Sequence, residues 1–303
     1  MEKIKGKILF KRQKILLTLL QEFGGCLSST DFQKYLFLFT QREKMHSYDF
    51  VPYKFGCFSF QSYADKRRLV EMGILANNHN YWQLVSENND YSTNIAPSIQ
   101  NKIFSFVEEF STIRGNELIR YVYKNYPYFA INSQIADEVM DEEDLEKIDE
   151  FRSKDESFCF YTIGYEGASF DDYLNRLIRN NVKLLCDVRK NPISRKYGFS
   201  QIQLSNNVAK FGIEYVHIPE LGIVSEKRQN LNTQKDYECL FEDYQNTILK
   251  NNSNAISRLY QLFLDNKRIA ITCFEANVCM CHRGRIALAL TQLPNWNYEI
   301  KHI

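Results

Sequence analysis

The chain has 303 residues, of which 44% are apolar and 25% charged, with a net charge of +1 and eight cysteines. This length allows two or three domains with ordinary cores, and the composition predicts a globular, soluble protein. No run of about eighteen apolar residues occurs, which excludes a spanning helix and leaves no membrane partner to expect. Eight cysteines are too sparse for a disulfide scaffold. Cys159 and Cys186 sit inside apolar runs, so reduced, packed thiols and a cytoplasmic location are expected.

In chain order, "KILLTLLQEFGG" reads as part of a short amphipathic helix at 8–23, because charges flank it and no small-residue cleavage site follows. Further helices are predicted at 29–42 and 60–73, followed by two short strands in "ILANNHNYWQLV" around the turn "NNHN". Three helices and a hairpin are the layout of a winged helix, so residues 1–90 are read as a nucleic-acid or partner-binding domain. Residues 1–68 hold thirteen Lys/Arg against six Asp/Glu, and Lys66, Arg67 and Arg68 on the third helix are the candidate phosphate contacts. The stretches "FQKYLFLFTQ" and "YDFVPYKFGCFSFQSYADKRRLVEMGIL" resemble the helical domain of some phage-defence and antitoxin proteins, with Cys57 where a proline is usual.

Residues 91–156 are predicted to form a helical extension and an acidic linker. "GNELIRYVYKNYPYFAINS" reads as an aromatic packing helix, and 137–156 carries eleven acids against three bases. Val139, Met140, Leu145 and Ile148 keep a loose helical spacing there, which predicts a solvated linking helix and allows it to mask the basic first module.

From 157 to 303 strand and helix signals alternate: "SFCFYTIGY", "SFDDYLNRLIRNN", "VKLLCDVR", "SQIQLSNNVAKFG", "IEYVHIP", a long helical stretch at 237–266, "RIAITCF", "CHRGRIALALTQL" and "YEIKHI". Alternation of this kind predicts βαβ units, hence a Rossmann-like α/β domain with a mainly parallel sheet. Ligands of such sheets bind beyond the carboxyl ends of the strands. The residues falling there are Tyr165 and Glu166, then Asp187, Arg189, Asn191 and Arg195, then His217 and Glu220, then Cys273, Glu275, Cys281, His282 and Arg283.

The blocks "TIGYEGASFDDYL", "LLCDVRKNPISRKYGFS", "FGIEYVHIPELG" and "CFEANVCMCHRGRIALAL" resemble the widespread bacterial domain-of-unknown-function family numbered 488, over about 145 residues of the C-terminal half. The resemblance implies a Rossmann-like domain whose site is formed by the Asp-Val-Arg, Cys-x-Glu and Cys-His-Arg blocks. It implies no particular reaction, so the chemistry is read from the residues.

Arg189, Arg195, Lys196 and Arg283, with the free N–H groups opening the last helix, predict an anion or nucleotide ligand. Glu275, then Asp187, with Glu166 and Glu220, are the acid/base candidates for hydrolysis or glycosyl-type cleavage of a nucleotide or of DNA or RNA, with phage defence as one setting. A non-enzymatic nucleotide sensor or regulatory DNA-binding protein is the alternative. A further one is a cysteine-dependent enzyme resembling the sulfur-carrying rhodanese domains, with Cys273 as nucleophile. No C-x-x-C pair with a matched second pair occurs, and adjacent Cys281 and His282 are awkward ligands for one tetrahedral ion, so neither a metal nor another cofactor is expected. Buried small side chains at a strand-to-helix turn remain the plain reading of both cysteines.

Overall fold

A computed structural model describes residues 8–86, 88–229 and 231–303. Two compact units divide the chain, Met1–Arg152 and Ser153–Ile303. The division falls four residues before the boundary expected from charge. All but the last four residues of the segment read as an extension and linker belong with the first unit.

The first unit runs through α1 (Lys11–Glu22), β1 (Cys26–Ser28), α2 (Ser29–Arg42), the hairpin strands β2 (Val51–Tyr53) and β3 (Gly56–Phe58), α3 (Phe60–Glu71) and β4 (Tyr81–Gln83), then α4 (Pro97–Phe110), α5 (Gly115–Asn125), α6 (Ala136–Val139) and α7 (Glu142–Glu150). Ser28 caps α2 and Ser59 caps α3, each accepting from a backbone N–H three residues on. β4 lies antiparallel to β1, and Leu75 bridges Leu84, so the predicted 74–85 hairpin forms beside β1. The acidic stretch is not a free linker. Val139, Met140 and Ile148 are buried, while its carboxylates remain on the surface apart from Asp144.

Three of the thirteen Lys/Arg in 1–68 are spent on internal partners. Asp65 accepts from Arg12 at 2.6 and 3.0 Å, from Gln13 at 2.8 Å and from the Tyr48 hydroxyl at 2.9 Å. Buried Lys34 donates to the Phe55 carbonyl at 2.7 Å. Lys66 is buried as well, donating to the carbonyls of Asn78 and Tyr81 at 2.8 Å each and lying 4.9 Å from the Trp82 ring centre. Burial pushes its pKa down to about 8. This corrects the expectation for Lys66: it braces the hairpin, and of the three basic residues of α3 Arg67 and Arg68 are the exposed ones.

In the second unit β5 (Cys159–Gly164), α8 (Phe170–Arg179), β6 (Leu184–Asp187), α9 (Gln201–Ala209), β7 (Glu214–His217), α10 (Gln234–Tyr244), α11 (Ser253–Asn266), β8 (Arg268–Cys273), α12 (His282–Thr291) and β9 (Glu299–His302) follow one another. Ser169 caps α8, whose first turn carries Asp171 and Asp172 and whose last carries Arg176 and Arg179, in accord with the helix dipole. Phe170, Tyr173, Leu174 and Leu177, one helical face, are buried.

All strand pairs of the five-stranded sheet are parallel, in the order β7-β6-β8-β5-β9. The α/β architecture is therefore as the alternation predicts. Helices α10, α11 and α12 pack on the face presenting Phe160, Leu184, Cys186, Ile269 and Ile271. Tyr173 of α8 donates to Thr272, which alternates to the opposite face. The neighbouring strands β5 and β8 send their following helices in opposite directions over opposite faces, which opens a crevice beyond their carboxyl ends. Among the described residues, no helix is long and apolar enough to cross a membrane.

Candidate active site

The loops after β5 and β8 are fastened together. The backbone N–H groups of Tyr165 and Glu166 both donate to the Phe274 carbonyl, at 3.1 and 2.8 Å, and the Glu166 carboxylate accepts from the Ala276 N–H at 3.0 Å. Gly164 permits this contact: a Cβ there would lie 1.9 Å from the Glu275 carbonyl oxygen.

After β6, Asp187 is fully buried and accepts from Arg189 Nε at 2.8 Å, from Arg189 Nη2 at 2.5 Å and from the Tyr215 hydroxyl at 2.7 Å. Arg189, 6% exposed, gives its remaining donors to the Tyr165 hydroxyl at 2.9 Å and the Phe199 carbonyl at 2.8 Å. Burial opposes the guanidinium charge, but the hydrogen bonds and attraction of Asp187 prevail and hold the pKa above the usual arginine value. Tyr215 is pushed up by burial and then by Asp187, so it stays a neutral donor. Tyr165 stacks on Phe199, with ring centres 4.2 Å apart.

These partners correct three expectations. Asp187, Arg189 and Tyr165, expected as acid/base and ligand groups open to the rim, are enclosed and bonded to one another. His217 braces the same loop through Nε2 and the Arg189 carbonyl, 2.9 Å apart. Arg195 and Glu220 are exposed, whereas Lys196 donates to the Tyr165 carbonyl at 2.7 Å.

The last block folds as a strand, a loop with a 3-10 turn at Val278–Met280, and α12 with Cys281 at its N-cap. Arg283, 2% exposed, turns back to donate to the carbonyl of Glu275 and, at 2.7 Å, to that of Ala276. It holds the loop instead of an anionic ligand, a second correction to the anion site. Its Nε has no partner among the described residues.

Cys281 is extended (φ −132°, ψ 139°) and its side chain does not cap the helix, while His282 is already helical. That change of backbone direction brings two adjacent side chains to Cys273. The ligand atoms of Cys273, Cys281 and His282 all lie within 4.8 Å of one another, and each residue is 1% exposed. The spacing argument against a shared ion therefore fails at this loop.

His282 Nδ1 is 3.6 Å from Cys273 Sγ, and its Nε2 meets the Val188 carbonyl at 3.0 Å. Since a carbonyl only accepts, Nε2 carries the proton and Nδ1 faces the sulfur as an acceptor. Glu275 Oε2 sits 3.4 Å from the same sulfur, and Oε1 accepts from Arg228 Nη2 at 2.5 Å. Burial opposes the Glu275 charge, but Arg228 and then Cys281 outweigh it and hold the carboxyl below its usual range.

Glu275 is thus a partly exposed carboxylate paired with a cation, with side-chain exposure of 18% against 27% for Arg228. Burial pushes the Cys281 thiol well up, which disfavours a thiolate at this position. Arg228 was not singled out from the sequence. It lies in a 3-10 turn, Ser225–Arg228, within a segment without hydropathic periodicity, and only the fold carries it to Glu275.

With this geometry in view, residues 169–290, within the second unit, match the family model described as Domain of unknown function DUF488. Comparison with curated proteins and with solved structures gave no match.

Proposed function

We propose that the second unit is a hydrolase whose general base is Glu275, acting on a nucleotide-containing substrate, and that the first unit engages nucleic acid. The observation that carries the reading is Glu275 itself. Of the four carboxylates gathered at the strand ends, Asp187 is sealed in and Glu166 fastens a loop. Glu220 stands exposed on a 3-10 turn. Glu275 alone combines partial burial, a charge fixed by Arg228 and contact with the thiol–imidazole cluster.

A cysteine nucleophile is the weaker reading, because a carboxylate 3.4 Å from Cys273 Sγ opposes a thiolate. For the first unit, support comes from the exposed Arg67 and Arg68 on α3 and from the adjoining hairpin, an arrangement compatible with a winged helix. All eight cysteines are free thiols, which supports a reducing, cytoplasmic setting; defence against foreign nucleic acid is a role that fits both units.

The test is incubation of the full chain with nucleotides and with single- and double-stranded oligonucleotides, products being read by mass spectrometry. Glu275→Gln should slow product formation by about 10²–10⁴-fold without unfolding the protein. Equal rates would exclude Glu275 as the base. A ligand bound tightly and returned unchanged by wild type would favour the sensor alternative.

A further inference from the structure

We propose that Cys273, Cys281 and His282 bind one thiophilic divalent cation, zinc by its ligand chemistry, leaving a fourth position open beside Glu275. What the ion would do for catalysis rests on the hydrolase reading above, whereas the ligand set rests on geometry alone.

In a tetrahedral zinc site with Zn–S of about 2.3 Å and Zn–N of about 2.0 Å, neighbouring ligand atoms lie about 3.5–3.8 Å apart. Cys273 Sγ and His282 Nδ1 are 3.6 Å apart, already at that edge length. No pair among the three ligand atoms exceeds 4.8 Å, so closure requires side-chain movements of about 1 Å or less, measured against the same edge.

The outer contacts also suit an ion. The Val188 carbonyl fixes the His282 tautomer that presents the Nδ1 lone pair, the arrangement seen behind metal-bound imidazoles. Cys281 occupies an N-cap position where Ser, Thr, Asp or Asn would stabilise the helix, and it spends its side chain on the cluster instead. The thiols and the imidazole make only weak sulfur hydrogen bonds with one another, which a soft cation would replace with three coordinate bonds.

The charges balance. Each thiol releases one proton to solvent on binding, and two thiolates with a neutral imidazole cancel the charge of a divalent ion. The Arg228–Glu275 pair adds no net charge. Three protein ligands and an open fourth position are the pattern of catalytic zinc, where a bound water would lie within reach of the Glu275 carboxylate, which already contacts Cys273.

The experiment uses the full-length chain, stripped of metal by a chelator under reducing conditions and titrated with Co²⁺ as probe. One equivalent should produce tetrahedral visible absorption and a sulfur-to-cobalt charge-transfer band, both bleached by Zn²⁺. Cys281→Ser should weaken cobalt binding by more than about 100-fold, since losing even an outer partner costs about 10–100-fold. Cys279→Ser, which alters an exposed thiol of the same loop, should leave binding unchanged.

Should Cys281→Ser fail to fold, Cys273→Ser and the wild-type titration decide the matter. A folded wild type without a charge-transfer band, or a band that survives both Cys281→Ser and Cys273→Ser, overturns the site. No cobalt band alongside Glu275-dependent turnover overturns the metal alone; a cobalt band without such turnover overturns the hydrolase alone.

Discussion

Asp187→Asn keeps the shape of a buried side chain and removes its charge. Arg189, 6% exposed, would then be a buried cation whose only carboxylate neighbour among its hydrogen-bond partners has gone. Removing one member of a buried pair costs about 3–5 kcal/mol, because the other charge stays desolvated without compensation. An asparagine oxygen can still accept from Arg189 or from Tyr215, so the lower end of that range is expected. For a unit of this length each kcal/mol lowers the Tm by about 2–4 °C, which gives a fall of at least about 6 °C.

The two tryptophans allow the measurement to be made on the second unit. Trp82 belongs to the first unit and Trp296 to the second, where it stacks on Phe263. In a Trp82→Phe background, Trp296 fluorescence follows urea or thermal unfolding of the second unit alone. Adding Arg189→Met to Asp187→Asn should restore much of the loss, since an apolar replacement of the whole pair leaves no buried charge. A loss below about 1 kcal/mol for Asp187→Asn, or no recovery in the double variant, would refute the structural role assigned to this pair.

Gly164→Ala should disrupt the seam between the β5 and β8 loops, because its Cβ would fall 1.9 Å from the Glu275 carbonyl oxygen; wild-type stability and cobalt affinity in this variant would contradict the packing described. Arg283→Lys keeps the charge but loses the fork that ties the Glu275 and Ala276 carbonyls, so amide hydrogen exchange across residues 274–281 should accelerate. Unchanged protection would return Arg283 to the anion site.

Arg228→Met should shift the acid limb of activity to higher pH. Glu275 is held low by Arg228 against burial, so without the arginine burial dominates and the carboxylate protonates earlier as pH falls. By the same sign, the depressed folded-state pKa gives wild type stability that is present above the unfolded carboxylate pKa and lost as pH falls through the folded value. The stability gap between wild type and Arg228→Met should therefore close in acid, and a gap that widens would contradict the pairing. In the first unit, replacing Arg67 and Arg68 together with Ala should weaken binding to duplex DNA and reduce its dependence on salt; affinity independent of salt in wild type would exclude phosphate contacts.

The sequence made the parallel sheet and its crevice legible because buried strands and capped amphipathic helices leave strong periodic signals, as in Ser169 with Phe170, Tyr173, Leu174 and Leu177. It also placed Cys273, Glu275, Cys281 and His282 at one strand end. What it did not carry was direction. Arg189 and Arg283 read as cations at a rim, but a long side chain is as able to fold back onto a buried carboxylate or a loop carbonyl as to reach outward. Adjacent Cys281 and His282 read as incompatible ligands because uniform backbone separates neighbouring side chains, and the switch from extended to helical conformation between them removes that constraint. Lys66 was misplaced for a related reason: its helical face is defined by the 74–85 hairpin folding over it, a contact no local pattern encodes.

The central claim, that Glu275 is the base at a nucleotide-hydrolysing centre, is tested most directly by using Glu275→Gln as a trap. Wild type and variant are purified in parallel from the same cells, and the small molecules and oligonucleotides released on denaturation are identified by mass spectrometry. The account predicts that the variant, folded as wild type, retains an intact nucleotide-containing ligand that wild type converts to a hydrolysed product. If both proteins release the same intact molecule, and added wild type leaves it intact, Glu275 is not a catalytic base and the hydrolase reading is wrong.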